Sequence, residues 1–250
     1  MDWRLVDSDL SEPAFTVAAD EAIARARAKG LVPNTLHFYR RNRPTISMGY
    51  FQEVEKAVDT EFCRMNGISI VRRVTGGSAI YTDPGHLIYG LALDESVLPT
   101  DRGKAFEKVC GAIVLALGEL GIQAKFKPVN DVLVGGRKIS GSAQMRRWGI
   151  VLQHGTLVIR NDRRMMVGAL KMDIDKVHGR GLEAETYVTS LSEALGSQPD
   201  IGQVKSALAN AFGAAFGVNF TQSGLTDFEK NLIVELVTTK YGCDDWNLKR

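Results

Sequence analysis

Three short stretches carry residue types whose spacing allows chemistry on an anionic substrate. In the first, Arg72-Arg73-Val74-Thr75-Gly76-Gly77-Ser78-Ala79-Ile80-Tyr81, two arginines precede a small-residue loop that runs into an apolar segment. Consecutive glycines let backbone N–H groups converge on one concavity and let a ligand approach closely. An arginine beside them can hold a phosphate or carboxylate through two parallel hydrogen bonds. Taken alone, such a stretch is more often a tight hairpin with a solvated arginine pair. The second stretch runs from Asn130-Asp131 through Val132-Leu133-Val134-Gly135-Gly136-Arg137-Lys138-Ile139 to Ser140-Gly141-Ser142-Ala143. If Ile139 faces the core, Lys138 faces the other side of its strand. A lysine among small residues reaches a phosphoryl or carboxyl oxygen as a point charge. Asn130 and Asp131 are candidates to accept hydrogen bonds from a base or ribose, or to hold Mg²⁺. Alone, this too is more often an exposed hairpin. The third stretch, Gln153-His154-Gly155-Thr156-Leu157, places a histidine in a strand where it lines a cleft or, more often, satisfies a core position.

Other chemistries lack their residues. There is no G-x-x-x-x-G-K-[ST] phosphate loop, no G-x-G-x-x-G after a strand and no H-E-x-x-H. His37, His86, His154 and His178 lie far apart in sequence, so no zinc site is expected. Cys110 falls on an apolar helical stripe and reads as a buried small hydrophobe. Cys63 and Cys243 lack the electropositive loop of an activated thiolate. With no cysteine between 111 and 242, a thioester mechanism around Lys138 lacks its nucleophile.

The elements that must position these residues alternate without a regular βαβ rhythm. Helices are expected over 15–29, 59–66, 104–120 and 203–216. Strands are expected over 35–40, 45–51, 68–73, 79–81, 87–93 and 150–159. Phe106, Val109, Cys110, Ile113 and Leu117 recur at helical spacing in the long central helix. Gly135-Gly136 between two short strands, Val132-Leu133-Val134 and Arg137-Lys138-Ile139, is a hairpin signal, so the sheet is at least partly antiparallel. Thr226 with Glu229 predicts a capping box for a last helix carrying Phe228, Leu232, Leu236 and Val237. The stretch 196–204 has loop composition. The expected fold class is α+β, a mixed sheet flanked by helices.

The chain has 250 residues, 44% hydrophobic and 24% charged, with a formal net charge of +2. These values fit one large globular domain and give no bulk field for nucleic acid or membrane binding. The N-terminus is too polar for a signal peptide, no apolar run is long enough to span a bilayer, and the few cysteines fit a reducing compartment, the cytoplasm.

Together, these stretches resemble the lipoate–protein ligase/octanoyltransferase family of the biotin and lipoate ligase superfamily. The resemblance runs through FYRRNRPTISMGYFQ (38–52), RRVTGGSAIYTDPG (72–85), NDVLVGGRKISGSAQMRRWGIVLQHGTL (130–157), the weaker TYVTSL (186–191) and YGCDDWNLKR (241–250). It implies a fold like that of class II aminoacyl-tRNA synthetase catalytic domains. It makes Lys138 the catalytic lysine that contacts the acyl carbonyl and the phosphate of an acyl-adenylate. It implies substrate and nucleotide binding by Arg73, Thr75, Gly76, Gly77, Ser78, Ala79, Ile80, Tyr81 and Thr82, by Asn130, Asp131, Ser140, Gly141 and Ser142, and by His154, Gly155 and Thr156, with Asp131 a weak Mg²⁺ ligand. Ser78 and Thr82 stand where the ligases carry a third glycine and a histidine.

The main expectation from the resemblance is a ligase. ATP with Mg²⁺ and lipoate (or octanoate) would give acyl-AMP, and a lysine of a lipoyl-domain or glycine-cleavage-H-type acceptor would take the acyl group. The flanks of Lys138 look more like octanoyltransferases of the Bacillus type. Those carry an upstream nucleophilic cysteine, whereas this chain has Asn130-Asp131 there. The alternatives are an octanoyl or lipoyl transferase working without ATP, and a non-catalytic module holding lipoate or lipoyl-AMP. Biotin ligation is less expected. Residues 1–195 are expected to form the catalytic body and 196–250 its helical C-terminal extension. The two-domain ligases' accessory domain has no room in this chain, so it would be dispensable or a separate small subunit.

Overall fold

The first helix forms at Pro13–Ala28 (α1), opened by a proline at its first turn and built on alanines. Its small residues Ala18, Ala19 and Ala22 are buried, which lets it lie close against a sheet. The computed structural model describes residues 2–171 and 182–249. The strands are Asp2–Ser11 (β1), Thr35–Arg41 (β2), Thr45–Met48 (β3), Ser69–Arg72 (β4), Ile80–Thr82 (β5), His86–Asp94 (β6), Lys125–Lys127 (β7), Asp131–Val134 (β8), Arg137–Arg147 (β9), Ile150–Val158 (β10) and Asn219–Gln222 (β11). Eight of them form one sheet in the order β11-β1-β2-β6-β10-β9-β8-β7, and β4-β3-β5 form a second. β1 runs parallel to β2 and β11, and the other pairs of the large sheet are antiparallel. The expected mixed α+β architecture is therefore what the chain adopts.

Short helices Val54–Ala57 (α2) and Thr60–Met65 (α3) precede β4. The long helix forms at Arg102–Glu119 (α4), and Phe106, Val109, Cys110, Ile113 and Leu117 are all buried on it. α4 packs with the Ile201–Phe216 helix over one face of the large sheet, in a core containing Leu36, Phe38, Leu87, Tyr89 and Phe212. α1 packs with the Asp227–Leu236 helix. The capping box forms as expected between Thr226 and Glu229. The inward stripe of that helix is Glu229, Ile233 and Leu236, with Phe228 only half-buried.

Several boundaries differ from the sequence reading. The strand expected over 45–51 stops at Met48. A Cβ on Gly49 would lie 1.9 Å from the Gly77 carbonyl oxygen, so the chain leaves the sheet there to pack against the glycine loop. The loop expected over 196–204 ends at Asp200, whose side chain caps the next helix. β1 was not expected because its pattern is polar. Its Arg4 is buried, donating to both carboxylate oxygens of Glu229, 225 residues away in sequence. β11 pairs with β1 and the Asp227–Leu236 helix with α1, so the C-terminal segment is woven into the body.

Candidate functional site

Where the large sheet meets the glycine loop, a cavity of about 510 Å³ opens. Its floor is one face of β2, β6, β10 and β9, and adjoining walls come from the glycine loop, α2 and the helix Arg163–Ala169 (α5). All three stretches singled out in the sequence reach it. Arg73, Gly77, Ser78, Ala79, Ile80 and Tyr81 line it from the first, Asn130, Asp131, Lys138 and Gly141 from the second, His154 and Thr156 from the third.

Lys138 Nζ lies 2.7 Å from Asp131 Oδ1. The strand geometry that puts it there is irregular. Val132 pairs with Ser140 but Leu133 pairs with Lys138, so one extra residue, Ile139, is accommodated as a bulge. A bulge re-aims the side chains beside it. Ile139 enters the core fully buried, and Lys138 folds back over Gly141. A Cβ on Gly141 would lie 2.5 Å from Lys138 Cε and 2.6 Å from Nζ. The weak TYVTSL match also finds its role here. The Tyr187 carbonyl accepts from Lys138 N and Thr189 N donates to Lys138 O, tying this segment beside the lysine. Gly141→Ala is expected to displace Lys138 and lower turnover more than tenfold, with a small change in urea midpoint. Equal turnover in the variant would show that the lysine does not need this seat.

The glycine loop is braced from within. Arg73 donates to Thr75 Oγ1 (3.0 Å), the Ser47 carbonyl (2.6 Å), the Gly76 carbonyl (2.7 Å) and the Ser78 carbonyl (2.9 Å). Its acceptors are uncharged, and burial together with the nearby Arg41 charge pushes the guanidinium down to about 9. Gly77 has φ +91°, and a Cβ there would lie 2.9 Å from Arg73 Nη2. Arg72 points elsewhere and gathers the Gly49, Gln52 and Lys249 carbonyls.

Behind the loop lies a polar cluster that sequence reasoning missed. Asp20, on α1, accepts from Tyr39 (2.9 Å), and its oxygens lie 2.8 Å from His154 Nδ1 and 3.2 Å from His37 Nδ1. His154 Nε2 lies 2.8 Å from Thr75 Oγ1. Since Nδ1 faces a carboxylate, it carries the proton, and Nε2 accepts from the Thr75 hydroxyl. One chain of bonds thus runs from α1 through His154 and Thr75 to Arg73. A Cβ on Gly90 would come 2.7 Å from Asp20 Oδ1, so the strand beneath has to be bare. The available signal was a pair of acids, Asp20 and Glu21, inside an alanine-rich helix.

Some expected site residues are placed otherwise. Thr75, Gly76 and Thr82 are not on the cavity wall. Thr75 serves the His154 bond, the Gly76 carbonyl braces Arg73, and Thr82 accepts from Arg41 Nη1 at 2.7 Å. Ser140, Ser142 and Gly155 border the cavity, but what they offer lies on the far face. The Ser142 hydroxyl is 2.7 Å from the Tyr89 hydroxyl, Ser140 Oγ is buried without a partner, and Gly155 makes room for the Tyr89 hydroxyl. Asn130 Nδ2 donates to the Ser142 carbonyl and so closes the hairpin. Arg41, Tyr39 and His86 line the cavity and were not expected to.

Among the described residues, neither a cysteine nor a preformed metal cage lines the cleft. Cys110 sits in the main core with its Sγ 3.8 Å from Ser142 Oγ, and burial pushes its thiol up to about 11. Cys63 is buried in the second core and also pushed up to about 11 by burial. Among the described residues no three His, Cys, Asp or Glu side chains cluster as a metal site, and His178 lies outside them. Among the described residues Asp131 is the carboxylate on the cavity wall, which suits an Mg²⁺ held mostly by substrate phosphates and water.

Burial raises the carboxyls of Asp20, Glu229 and Asp83, but bonds from His154 and His37, from Arg4 and from His86 hold each below its ordinary value. Such groups stabilise the fold above the unfolded carboxyl range, about pH 4, and lose that contribution as pH falls through the lower native values. The urea midpoint is therefore expected to be level from about pH 5 to 7 and to drop below about pH 4. An unchanged midpoint at pH 3 would refute this.

The sequence profile of the lipoyl protein ligase A/B catalytic domain matches residues 12–213. An octanoyltransferase LipM from Moorella thermoacetica is 34% identical over 271 residues, covering 99% of this chain and 98% of the relative. One from Symbiobacterium thermophilum is 32% identical over 277 residues, again covering 99% and 98%. Among solved structures, the bipartite lipoate protein ligase of Thermoplasma acidophilum, described with its E2 lipoyl domain, superposes with TM-score 0.86 at 29% identity, covering 100% of this chain and 98% of that one. A lipoate-protein ligase A bound with ATP superposes with TM-score 0.87 at 28% identity, covering 99% of both chains.

Proposed function

The chain belongs to the lipoyl protein ligase A/B catalytic-domain family, and from that premise we propose that it is an ATP-dependent lipoate– or octanoate–protein ligase. The observation that carries this reading is the cleft's chemistry. It offers a lysine and buried guanidiniums for anions, while Cys110 and Cys63 are buried in the cores. Adenylation makes a good leaving group, so no enzyme nucleophile is required.

The substrate carboxylate oxygen attacks the α-phosphorus, a P–O bond forms, and pyrophosphate leaves with the electrons of the broken P–O bond. Lys138 turns from Asp131 to the incoming oxygens and spreads their developing charge, which is positioning plus electrostatics. Asp131 would help to hold an Mg²⁺ brought by the phosphates, and that ion would supply charge neutralisation. The braced glycine loop holds the acyl-adenylate against the sheet. The neutral ε-amine of an acceptor lysine then attacks the acyl carbonyl, loses a proton, and AMP leaves. An E2-type lipoyl domain or glycine-cleavage-H-type protein fits as acceptor, and a separate small subunit fits as accessory partner.

A second reading has its own support. The curated relatives named above are octanoyltransferases, and they favour moving an octanoyl or lipoyl group between carrier proteins without ATP. Release of pyrophosphate from ATP with lipoate or octanoate, with and without a lipoyl-domain acceptor, separates the two. Acyl transfer from acyl carrier protein without ATP, and no pyrophosphate release, would overturn the ligase reading.

A further inference from the structure

Arg73 and Lys138 do not account for all the positive charge on the cavity wall. Arg41, the last residue of β2, lines the cavity and is only 2% exposed. Its Nε donates to Thr16 Oγ1 at 3.2 Å and its Nη1 to Thr82 Oγ1 at 2.7 Å. A guanidinium has five N–H donors, so three remain after those two hydroxyls. Its Nη2 has no hydrogen-bond partner among the described residues yet is not sealed in the core, so that nitrogen opens on the cavity that Arg41 lines.

No carboxylate among the described residues forms an ion pair with Arg41. Asp20 acts on it only through space, its oxygens being engaged by His37, His154 and Tyr39. Arg73, whose charge also acts on Arg41, bonds only to uncharged oxygens. Two buried guanidiniums thus face one cavity with no bonded counter-ion. A buried charge is expensive unless an opposite charge meets it, and guanidiniums match carboxylate and phosphate with two parallel bonds. β6 and β10 lie between the strand of Arg41 and that of Lys138, so these two cations stand at separate places on the cavity wall.

We propose that Arg41 is a further substrate-binding residue, forming with Arg73 a second oxyanion pocket apart from Lys138, which takes a phosphate or carboxylate group of the substrates. The assignment rests on the adenylation reading only for the source of that anion. In one case the distal phosphates of the nucleotide lie at Arg41 while the α-phosphate lies at Lys138. In the other the acyl carboxylate docks at Arg41.

Calorimetric titration of inorganic pyrophosphate and of octanoate into wild type and Arg41→Gln tests this. Affinity for one of them is expected to fall at least tenfold, pyrophosphate if the anion is a phosphate and octanoate if it is a carboxylate. Arg41→Lys keeps the charge without the planar fork and is expected to recover part of the loss. It also serves as the folding-safe variant should Arg41→Gln not fold. Affinities within twofold of wild type for both ligands, in variants with an unchanged urea midpoint, would overturn the proposal. Wild type that binds either anion through Arg41 but releases no pyrophosphate from ATP would sink the ligase reading and leave this pocket standing.

Discussion

Replacing Lys138 with alanine is expected to slow pyrophosphate release by about 10²–10³-fold, the usual effect of removing one charge-stabilising donor from a transition state. The side chain is only 23% exposed, held by Asp131 and folded over Gly141, so the ammonium is fixed on the cavity wall, where the proposed adenylation would develop charge. The lysine makes no core contact whose loss would unfold the sheet, because Ile139 occupies the core position beside it. The loss should therefore fall on kcat more than on the urea midpoint. Lys138→Arg is expected to rescue little, since a planar guanidinium does not fit the seat that the bare Gly141 makes for a compact ammonium. Full turnover by the alanine variant would end the assignment of Lys138 as the catalytic lysine.

Replacing Asp20 with alanine is expected to be the most costly substitution for the fold, about 3–5 kcal/mol, because it leaves the groups around a buried charge without their acceptor. Those groups are His37, His154 and Tyr39. The consequence runs on to the site. Without the carboxylate, His154 is no longer held with its proton on Nδ1, and Thr75 loses a fixed acceptor beside Arg73. Asp20→Asn keeps the shape but presents an amide donor to part of this cluster. It is expected to cost less stability than alanine while still lowering turnover. Urea denaturation and pyrophosphate release on the same preparations separate the two effects. An alanine variant within about 1 kcal/mol of wild type would show that the cluster is not a working network.

Local signals were legible wherever the cause is local. Gly135 and Gly136 take φ +56° and +81° in the two-residue turn the sequence suggested, and Thr226 and Glu229 cap their helix reciprocally. The heptad-like stripe of α4 is buried as its spacing required. The direction of side chains on β9 was not legible. Strict alternation groups Lys138 with Ser140 and Ser142, and the bulge at Ile139 breaks that grouping, leaving the Ser142 hydroxyl on the helix side.

The three stretches, and a lysine and a glycine loop as candidates for anion binding, were legible in the sequence, because motif residues lie within a few positions of one another. The partners that make them work were decided only in three dimensions. Asp20 meets His154 across 134 residues, Arg4 meets Glu229 across 225, and Arg41 reaches the cavity from a strand two neighbours away from β10. A buried charge is tolerated only where another part of the chain arrives with its counterpart, and that arrival is a property of the packed sheet and helices rather than of any segment alone.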